Sequence, residues 1–426
     1  MSFMCFIVPC VSNGIISLMR ILIVNDQHWP MRSGCANASR TLALGLAARG
    51  HTVLVIAPAS GRRNEIDHDE NYEIFRIRSI KFRENLRVSM VLDREVRRVI
   101  ADFNPDIVHV HTQLTLGLAV LRAATAMGIP VVATNHVMPD NLIDNIKGAS
   151  TLSRPISYIW TEYGNLLYRD AKRIIMPTQS VLSLFNIDRL EAPVVAISNG
   201  IDLSDYQVKP AKDSTYKKFH LPKNKKIITW LGRIDREKHL DVVIQAFAGL
   251  REERNDIHLL MVGVGNDLEN LQSMVAELGI ESSVTFTGLV SEEDKYELHR
   301  VGAIFVMPSP NELQCLAMLE AMSCGKPVVA VDAGPIAELC HNDENGYLVY
   351  VDDVRGFERS LTMLLDNPDR LKKFSKRSRE IAETHDQKII MPQFEKLYKE
   401  VIRESQQAPK RARRTFRSVL SVRRQG

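Results

Sequence analysis

Ile304-Phe305-Val306-Met307-Pro308-Ser309-Pro310-Asn311-Glu312-Leu313-Gln314-Cys315-Leu316-Ala317-Met318-Leu319-Glu320-Ala321-Met322-Ser323-Cys324-Gly325-Lys326-Pro327-Val328-Val329-Ala330-Val331 is the stretch that decides the fold. Ile304–Met307 is a short apolar run that stops at a Pro/Ser/Asn loop, the pattern of a buried strand. The apolar stretch around Leu316–Met322 reads as a helix, Gly325 closes it, and Val328–Val331 is a second strand. Neither strand alternates polar with apolar residues, so both faces of their sheet are buried. A helix connects them, so they run parallel. Glu312 stands in the loop and Glu320 about two helical turns further on.

Working outward, the same unit recurs. Ile21–Val24 is a strand, and a helical period over Ala38–Arg49 ends at Gly50. Val53–Ala57, Ile107–Val110, Val131–Thr134, Arg173–Met176 and Val194–Ile197 follow as strands. The periodicity lapses over 204–226, a polar, lysine-rich segment with Pro210 and Pro222. It restarts with strands Ile227–Leu231, His258–Val262 and Val284–Phe286 before the opening stretch. Val354–Arg403 is helical, broken at Pro368 and Pro392. The fold class is therefore α/β, two Rossmann-like doubly wound domains facing across a cleft, with C-terminal helices. The expected divisions are an extension over 1–18, an N-terminal Rossmann-like domain over 19–203 and a linker over 204–226. A C-terminal Rossmann-like domain over 227–385 follows, then a helix over 386–404, and a basic tail over 405–426.

The 426 residues suit two domains, with 45% hydrophobic and 25% charged residues, an ordinary globular balance. The net charge of +4 is carried by the end of the chain, where Lys410 to Gly426 hold seven Lys or Arg and no acid. The body is near neutral, which argues against a nucleic-acid partner. Cys5, Cys10, Cys35, Cys315, Cys324 and Cys340 have no C-x-x-C spacing and read as reduced thiols of a cytoplasmic protein. Met1–Leu18 is apolar but interrupted, too short to span a membrane and without a basic n-region. Met19, directly before the first strand, reads as the native start.

In doubly wound sheets, ligands meet the loops after the strands, where helix N-termini offer N–H groups to anions. Gly232-Arg233-Ile234-Asp235-Arg236-Glu237-Lys238 places a glycine and two cations in such a loop. Arg233 as a fork and Lys238 as a point charge suit a diphosphate, although the motif alone equally reads as a solvated charged loop. Gly263-Val264-Gly265-Asn266-Asp267-Leu268 begins like a dinucleotide fingerprint but lacks the third glycine, so a nicotinamide enzyme is not implied. A nucleobase against Gly263 and Gly265 stays open. Backbone N–H groups at Leu313, Gln314 and Cys315, before Leu316, would face a phosphate with Glu312 beside it. Glu320, among Leu, Ala and Met, needs a partner, for which sugar or ribose hydroxyls are candidates; taken alone it equally reads as a surface helix glutamate.

Glu312-x7-Glu320 with Ala321-Met322…Gly325…Pro327-Val328-Val329 resembles the signature of glycosyltransferase family 4, whose members have the GT-B fold and transfer sugars with retention. Gly50-His51-Thr52-Val53, Pro105-Asp106-Ile107-Val108-His109, Ser198-Asn199-Gly200-Ile201-Asp202 and the Gly232-Arg233…Lys238 loop extend the resemblance from Met19 to about Val401. It implies that 19–203 binds the acceptor, that 227–385 binds the nucleotide sugar and that the helix over 386–404 packs back on the first domain. It implies a hexosyltransferase in which Arg233 and Lys238, with Gly232, clamp the donor diphosphate. Glu312 would hold donor-sugar hydroxyls, Glu320 the ribose, and Gly263 and Gly265 the base. His136 matches the histidine that reaches the donor sugar from the N-terminal domain, and alternatively is a core histidine. No cofactor, metal or protein nucleophile is implied. The co-substrate is a nucleotide sugar, UDP-linked first and GDP-mannose second. Asp67-His68-Asp69, a superficial D-x-D, reads as a solvated turn.

Two departures stand out. The N-terminal glycine pair is reduced to Arg32-Ser33-Gly34-Cys35, leaving Gly34, and the residues after Glu312 are Leu313-Gln314. The latter, with Leu114-Thr115-Leu116-Gly117 and Asn135–Asn141, resembles a subgroup near diacylglycerol and phosphatidylinositol glycosyltransferases. A lipid acceptor and an anionic membrane surface are the partners this implies, with the enzyme peripheral on the inner leaflet. The tail, and Arg76, Arg78, Lys81, Arg83 and Arg87, are the basic residues that would meet that surface; the tail equally reads as a solubilising end. Rival readings are a nucleotide-sugar epimerase or hydrolase on the same scaffold and a non-catalytic donor-binding protein.

Overall fold

The computed structural model describes residues 18–31, 33–83, 86–112, 115–136, 168–184, 190 and 192–407. Of the residues singled out above, 1–17 of the extension with Cys5 and Cys10, Arg32, Leu114, 137–141 and 408–426 of the basic tail lie outside these, as does the Arg83 side chain.

The first half carries β1 (Arg20–Val24), β2 (Thr52–Pro58), β3 (Glu65–Asp69), β4 (Tyr72–Ile77), β5 (Ser79–Arg83), β6 (Leu86–Ser89), β7 (Ile107–Val110), β8 (Val131–Thr134), β9 (Arg173–Met176) and β10 (Val194–Ala196). Among the described residues they form a sheet in the order β10-β9-β8-β7-β1-β2-β4-β3 and a separate β5–β6 hairpin. Side chains alternate along a strand. Ile21 and Ile23 of β1 therefore pack on one face with Leu42 and Leu46 of the helix Gly34–Ala48. Leu22 and Val24 pack on the other with Val96, Ile100, Val120 and Leu121.

The second half carries β11 (Lys226–Leu231), β12 (Ile257–Val262), β13 (Val284–Phe286), β14 (Ile304–Met307), β15 (Val328–Val331) and β16 (Gly346–Val349). They form a parallel sheet in the order β13-β12-β11-β14-β15-β16. Each sheet is built outward in both directions from one point, between β1 and β7 in the first and between β11 and β14 in the second. At such a point the flanking connections leave in opposite directions and open a crevice at the strand C-termini.

The helix Gln387–Gln407 returns to the first sheet. Ile390, Met391, Phe394, Leu397, Tyr398 and Val401 pack with Ile21, Ile23 and Leu46, in a layer that holds the chain's end to its beginning. Glu395 in this helix accepts from His51 Nε2 at 3.0 Å and is ion-paired with Arg49. Pro392 does not break the helix as the sequence suggested; the break falls at Thr384–Asp386. A proline forfeits one backbone N–H and adds a local clash, and the apolar face on either side outweighs this here.

Other expectations need correction. Asp67-His68-Asp69 is not a turn but edge strand β3, antiparallel to β4. Asp67 pairs with Arg76 at 2.9 Å, and Asp69 accepts both Arg40 Nε at 2.6 Å and the Tyr72 hydroxyl at 2.7 Å. The strand carries no apolar alternation because it is an exposed edge, where charge is what prevents further pairing. The segment 204–226 is also not bare linker, since Asp213–Lys218 is helical.

Candidate active site

The switch point of the second sheet brings together the two loops that the sequence marked. The loop after β11 ends in a short turn at Arg236–Lys238, and the loop after β14 carries Ser309 and Glu312. Lys238 Nζ donates to Glu312 Oε1 at 2.8 Å and lies 3.4 Å from Ser309 Oγ and 3.6 Å from Glu237. Lys238 is 8% exposed. Burial alone would lower its pKa, but the Glu312 carboxylate outweighs it and the ammonium's pKa is raised. Arg233 stays half exposed, and its guanidinium is ion-paired with Asp235 and Glu237 of its own loop. An anion arriving here meets two cations, each already balanced by a carboxylate.

The glycines of these loops have a steric reason. A Cβ on Gly263 would lie 1.9 Å from the Gly232 carbonyl oxygen, and one on Gly265 would lie 2.1 Å from that of Ile234. The loops after β11 and β12 are thus pressed together, with Gly232 N bonded to Val262 O at 3.0 Å and Ile234 N to Val264 O at 2.9 Å. Gly263 and Gly265 are partly exposed, so their surface remains open to a ligand.

Glu320 is neither a surface glutamate nor without a partner. It lies in the helix Leu316–Ser323, is buried, and accepts from Lys295 Nζ at 3.0 Å and His299 Nε2 at 3.1 Å. Burial pushes its pKa up, but the Lys295 charge and the His299 hydrogen bond overcome this and bring it to about 2. Lys295 and His299 are spaced i, i+4 on the helix Glu292–Val301 and so share a face, which was the readable sign that they act together.

Leu313 and Gln314 are placed differently from the rest. Leu313 packs on an apolar cluster of the first domain with Ala133, Met176 and Val181, and its carbonyl accepts from Thr178 Oγ1 at 2.9 Å. Gln314 is buried against Asn199 and Ser198. These side chains join the two domains rather than turn toward Lys238. Cys315 is buried, and burial pushes its thiol well above the ordinary value; Leu316, half buried, opens the helix.

On the facing domain, Gly34 is exposed at the start of its helix, with nothing within 4 Å of where a Cβ would stand. Ser33 caps that helix, its Oγ accepting from Ala36 N at 3.1 Å. Asp26, not recognised from the sequence, sits at the β1/β7 switch point and accepts from Leu116 N at 2.9 Å, Gly117 N at 3.1 Å and Thr112 Oγ1 at 2.8 Å. Its carboxylate caps the helix Thr115–Ala126. His136 follows β8 and is partly exposed; its Nε2 lies 2.9 Å from Nδ1 of His111, which sequence reasoning also passed over.

Two family models match: Glycosyltransferase Family 4 over residues 32–205 and Glycosyl transferases group 1 over residues 212–381. The alpha-monoglucosyldiacylglycerol synthase of Streptococcus pneumoniae is 27% identical over 82% of this chain and 79% of its own length. The phosphatidyl-myo-inositol mannosyltransferase of Mycobacterium leprae is 26% identical over 90% of this chain and 97% of its own. Among solved structures, the sucrose-phosphate synthase of Thermosynechococcus elongatus superposes with a TM-score of 0.73 at 18% identity, covering 90% of this chain and 99% of that one. The two models between them span both sheets except β1, so the chain belongs to the family 4 glycosyltransferases and has their GT-B fold.

Proposed function

We propose that the enzyme moves a hexose, with retention of configuration and without a metal, from a nucleotide sugar to a hydroxyl of a membrane glycerolipid. A UDP-sugar is the first choice of donor and GDP-mannose the second. The observation that carries this reading is the Lys238–Glu312 pair at the β11/β14 switch point. There a cation for the diphosphate and a hydroxyl acceptor for the sugar stand side by side.

In this reading Lys238 and Arg233 stabilise the charge that develops on the leaving diphosphate. The helix Leu316–Ser323 contributes its first N–H groups, which no side chain caps. Glu312 accepts from sugar hydroxyls. Glu320, held ionised by Lys295 and His299, accepts from the ribose. Gly34 leaves room for the donor on the opposite wall, and His136 reaches the sugar from there. The acceptor hydroxyl attacks on the leaving-group face and passes its proton to a phosphate oxygen, so no protein nucleophile is invoked.

Support for a lipid acceptor comes from the relatives named for diacylglycerol and phosphatidylinositol. It comes also from the β5–β6 hairpin, where the cross-strand pair Ile80 and Val88, with Met90, is exposed. Of the basic group in that region, Arg76 is buried against Asp67, Arg78 pairs with Glu95, and Arg87 bonds Ser79 and the Ser60 carbonyl. Lys81 is exposed. Among the described residues no helix is long and apolar enough to cross a membrane. The relatives' lipid substrates and the exposed hairpin pair are what support a peripheral position, which we propose to be on the cytoplasmic face of a bilayer.

A thermal-shift screen with UDP-, GDP- and ADP-sugars tests the donor. Ligand at about a hundred times its Kd adds about 2.7 kcal/mol of stability, a readily measured rise. Absence of a rise with every nucleotide sugar would refute donor binding. The anomeric configuration of the product, read by NMR, tests retention.

A further inference from the structure

His109 lies in β7 and His111 directly after its end, where the His111 backbone N–H still donates to Val24 O at 2.8 Å as a further strand residue would, so the two side chains, two positions apart, lie on the same side. His109 Nδ1 lies 2.7 Å from the Tyr398 hydroxyl in the returning C-terminal helix, and its Nε2 lies 2.7 Å from Thr134 Oγ1. The His111 ring is 4.3 Å from that of His109 and 5.1 Å from that of His136, nearly parallel to the latter at 14°. A row of three imidazoles thus runs from the core to the partly exposed His136. The only hydrogen bond across its outer step, among the described residues, joins His111 Nδ1 to His136 Nε2 at 2.9 Å. The remaining nitrogen of His111, Nε2, is buried and has no hydrogen-bond partner among the described residues.

That unpaired atom decides which ring donates. Both rings are neutral at pH 7, because burial lowers His136 to about 4 and, with the neighbouring imidazoles, holds His111 well below its ordinary value. A neutral imidazole has one N–H and one lone pair. If His136 donated, His111 would carry its proton on Nε2, an N–H sealed from water with nothing to receive it. If His111 donates, only a lone pair is left unmet. Orphaned buried N–H groups are the rarer of the two faults.

We infer that His111 is a positioning residue that donates from Nδ1 to His136 Nε2 and so fixes His136 as the Nδ1–H tautomer, presenting a hydrogen-bond donor to the cleft. An N–H there suits the lone pairs of a sugar hydroxyl or ring oxygen and not a hydroxyl proton. The consequence for the donor rests on the proposed role of His136; the tautomer itself does not. His109, fastened at both nitrogens, is the fixed ring against which His111 packs at a tilt of 35°.

Two measurements on the full chain test this. Long-range 1H–15N correlation with labelled histidine reads each tautomer directly. His111 and His136 are both expected to be protonated at Nδ1, and a proton on His136 Nε2 overturns the assignment, whether or not the chain transfers sugar. Calorimetric titration then compares a nucleotide sugar with its parent nucleotide, UDP-glucose with UDP or GDP-mannose with GDP, using the pair the wild type binds. His111→Leu is expected to weaken the nucleotide sugar by about fivefold, one hydrogen bond's worth, while leaving the nucleotide within about twofold. His111→Asn, whose amide N–H stands near the place of Nδ1, restores the sugar term. Equal weakening of both ligands would mean a merely structural role, and no weakening of either would mean that His136 needs no support; each sinks the positioning role. If neither pair binds the wild type, the donor reading itself has failed and the sugar-facing consequence falls with it, while the tautomer remains decided by NMR.

Discussion

Gln314 Oε1 accepts both the backbone N–H of Asn199 at 3.0 Å and its side-chain Nδ2 at 2.8 Å, while Gln314 Nε2 donates to Ser198 Oγ at 2.7 Å. Ser198 Oγ in turn lies 2.8 Å from His385 Nδ1. A residue two positions from Glu312 in the loop after β14 is therefore fastened to the other domain, and the position of that loop depends on how the domains sit.

Removal of this contact is expected to show strong coupling. Gln314→Ala and Asn199→Ala should each destabilise the chain by about 1–3 kcal/mol, because each leaves buried polar atoms unmet. The double variant should cost clearly less than the sum, with a coupling energy of about 1 kcal/mol or more. Urea unfolding of the four proteins checks this; additive losses would show that the two side chains act separately.

Lys238 and Glu312 should separate by ligand. Lys238→Met is expected to weaken UDP or GDP binding by about tenfold or more, the loss of a charge-assisted contact. Glu312→Gln should keep nucleotide affinity but lower turnover, by about a hundredfold if the carboxylate acts mainly in the transition state. Titration calorimetry and steady-state rates of nucleotide release distinguish the two. Equal effects of both variants on nucleotide affinity would contradict the division of roles.

Glu320 gives a pH dependence of defined sign. Its folded pKa, about 2, is below the ordinary 4.5, so it stabilises the fold above pH 4.5. That contribution, about 3 kcal/mol, is lost as pH falls from 4.5 toward 2. In Glu320→Gln this part of the acid limb should vanish, and stability at pH 7 should fall by a similar amount. Denaturation midpoints of the wild type and variant between pH 7 and 3 decide it; parallel curves would mean that the Lys295–Glu320–His299 group does not control ionisation.

Two glycines should behave oppositely. Gly263 has φ 139° and no room for a Cβ beside the Gly232 carbonyl, so Gly263→Ala is expected to cost about 2–4 kcal/mol. Gly34→Ala meets open space and should leave the melting temperature nearly unchanged while weakening donor binding. Thermal melts with and without nucleotide sugar check both. A large drop in the melting temperature of Gly34→Ala would place its importance in folding instead.

By itself the sequence determined the two-sheet α/β architecture, because strands such as Ile304–Met307 and Val328–Val331 are apolar on both faces and are joined by helices. It also determined that Glu312, Arg233 and Lys238 lie on loops at strand C-termini, which is where such sheets take ligands. Edge strand β3 and the continuity of the helix through Pro392 escaped it, since an exposed edge has no apolar alternation and a proline's cost is met by packing distant in sequence. Only the tertiary structure decided how the charges are paired. Lys238 meets Glu312 across two loops, and Glu320 draws Lys295 and His299 from the preceding helix. Gln314, which reads as a donor contact, is turned to Asn199 in the other domain. Local pattern specifies which face a side chain takes, while partner and protonation state depend on which buried groups converge from elsewhere in the chain. The pairing of His111 with His136 is of that second kind: His136 was marked in the sequence and His111 was not, and the two, following neighbouring strands β7 and β8, become one hydrogen-bonded pair only when the sheet is assembled.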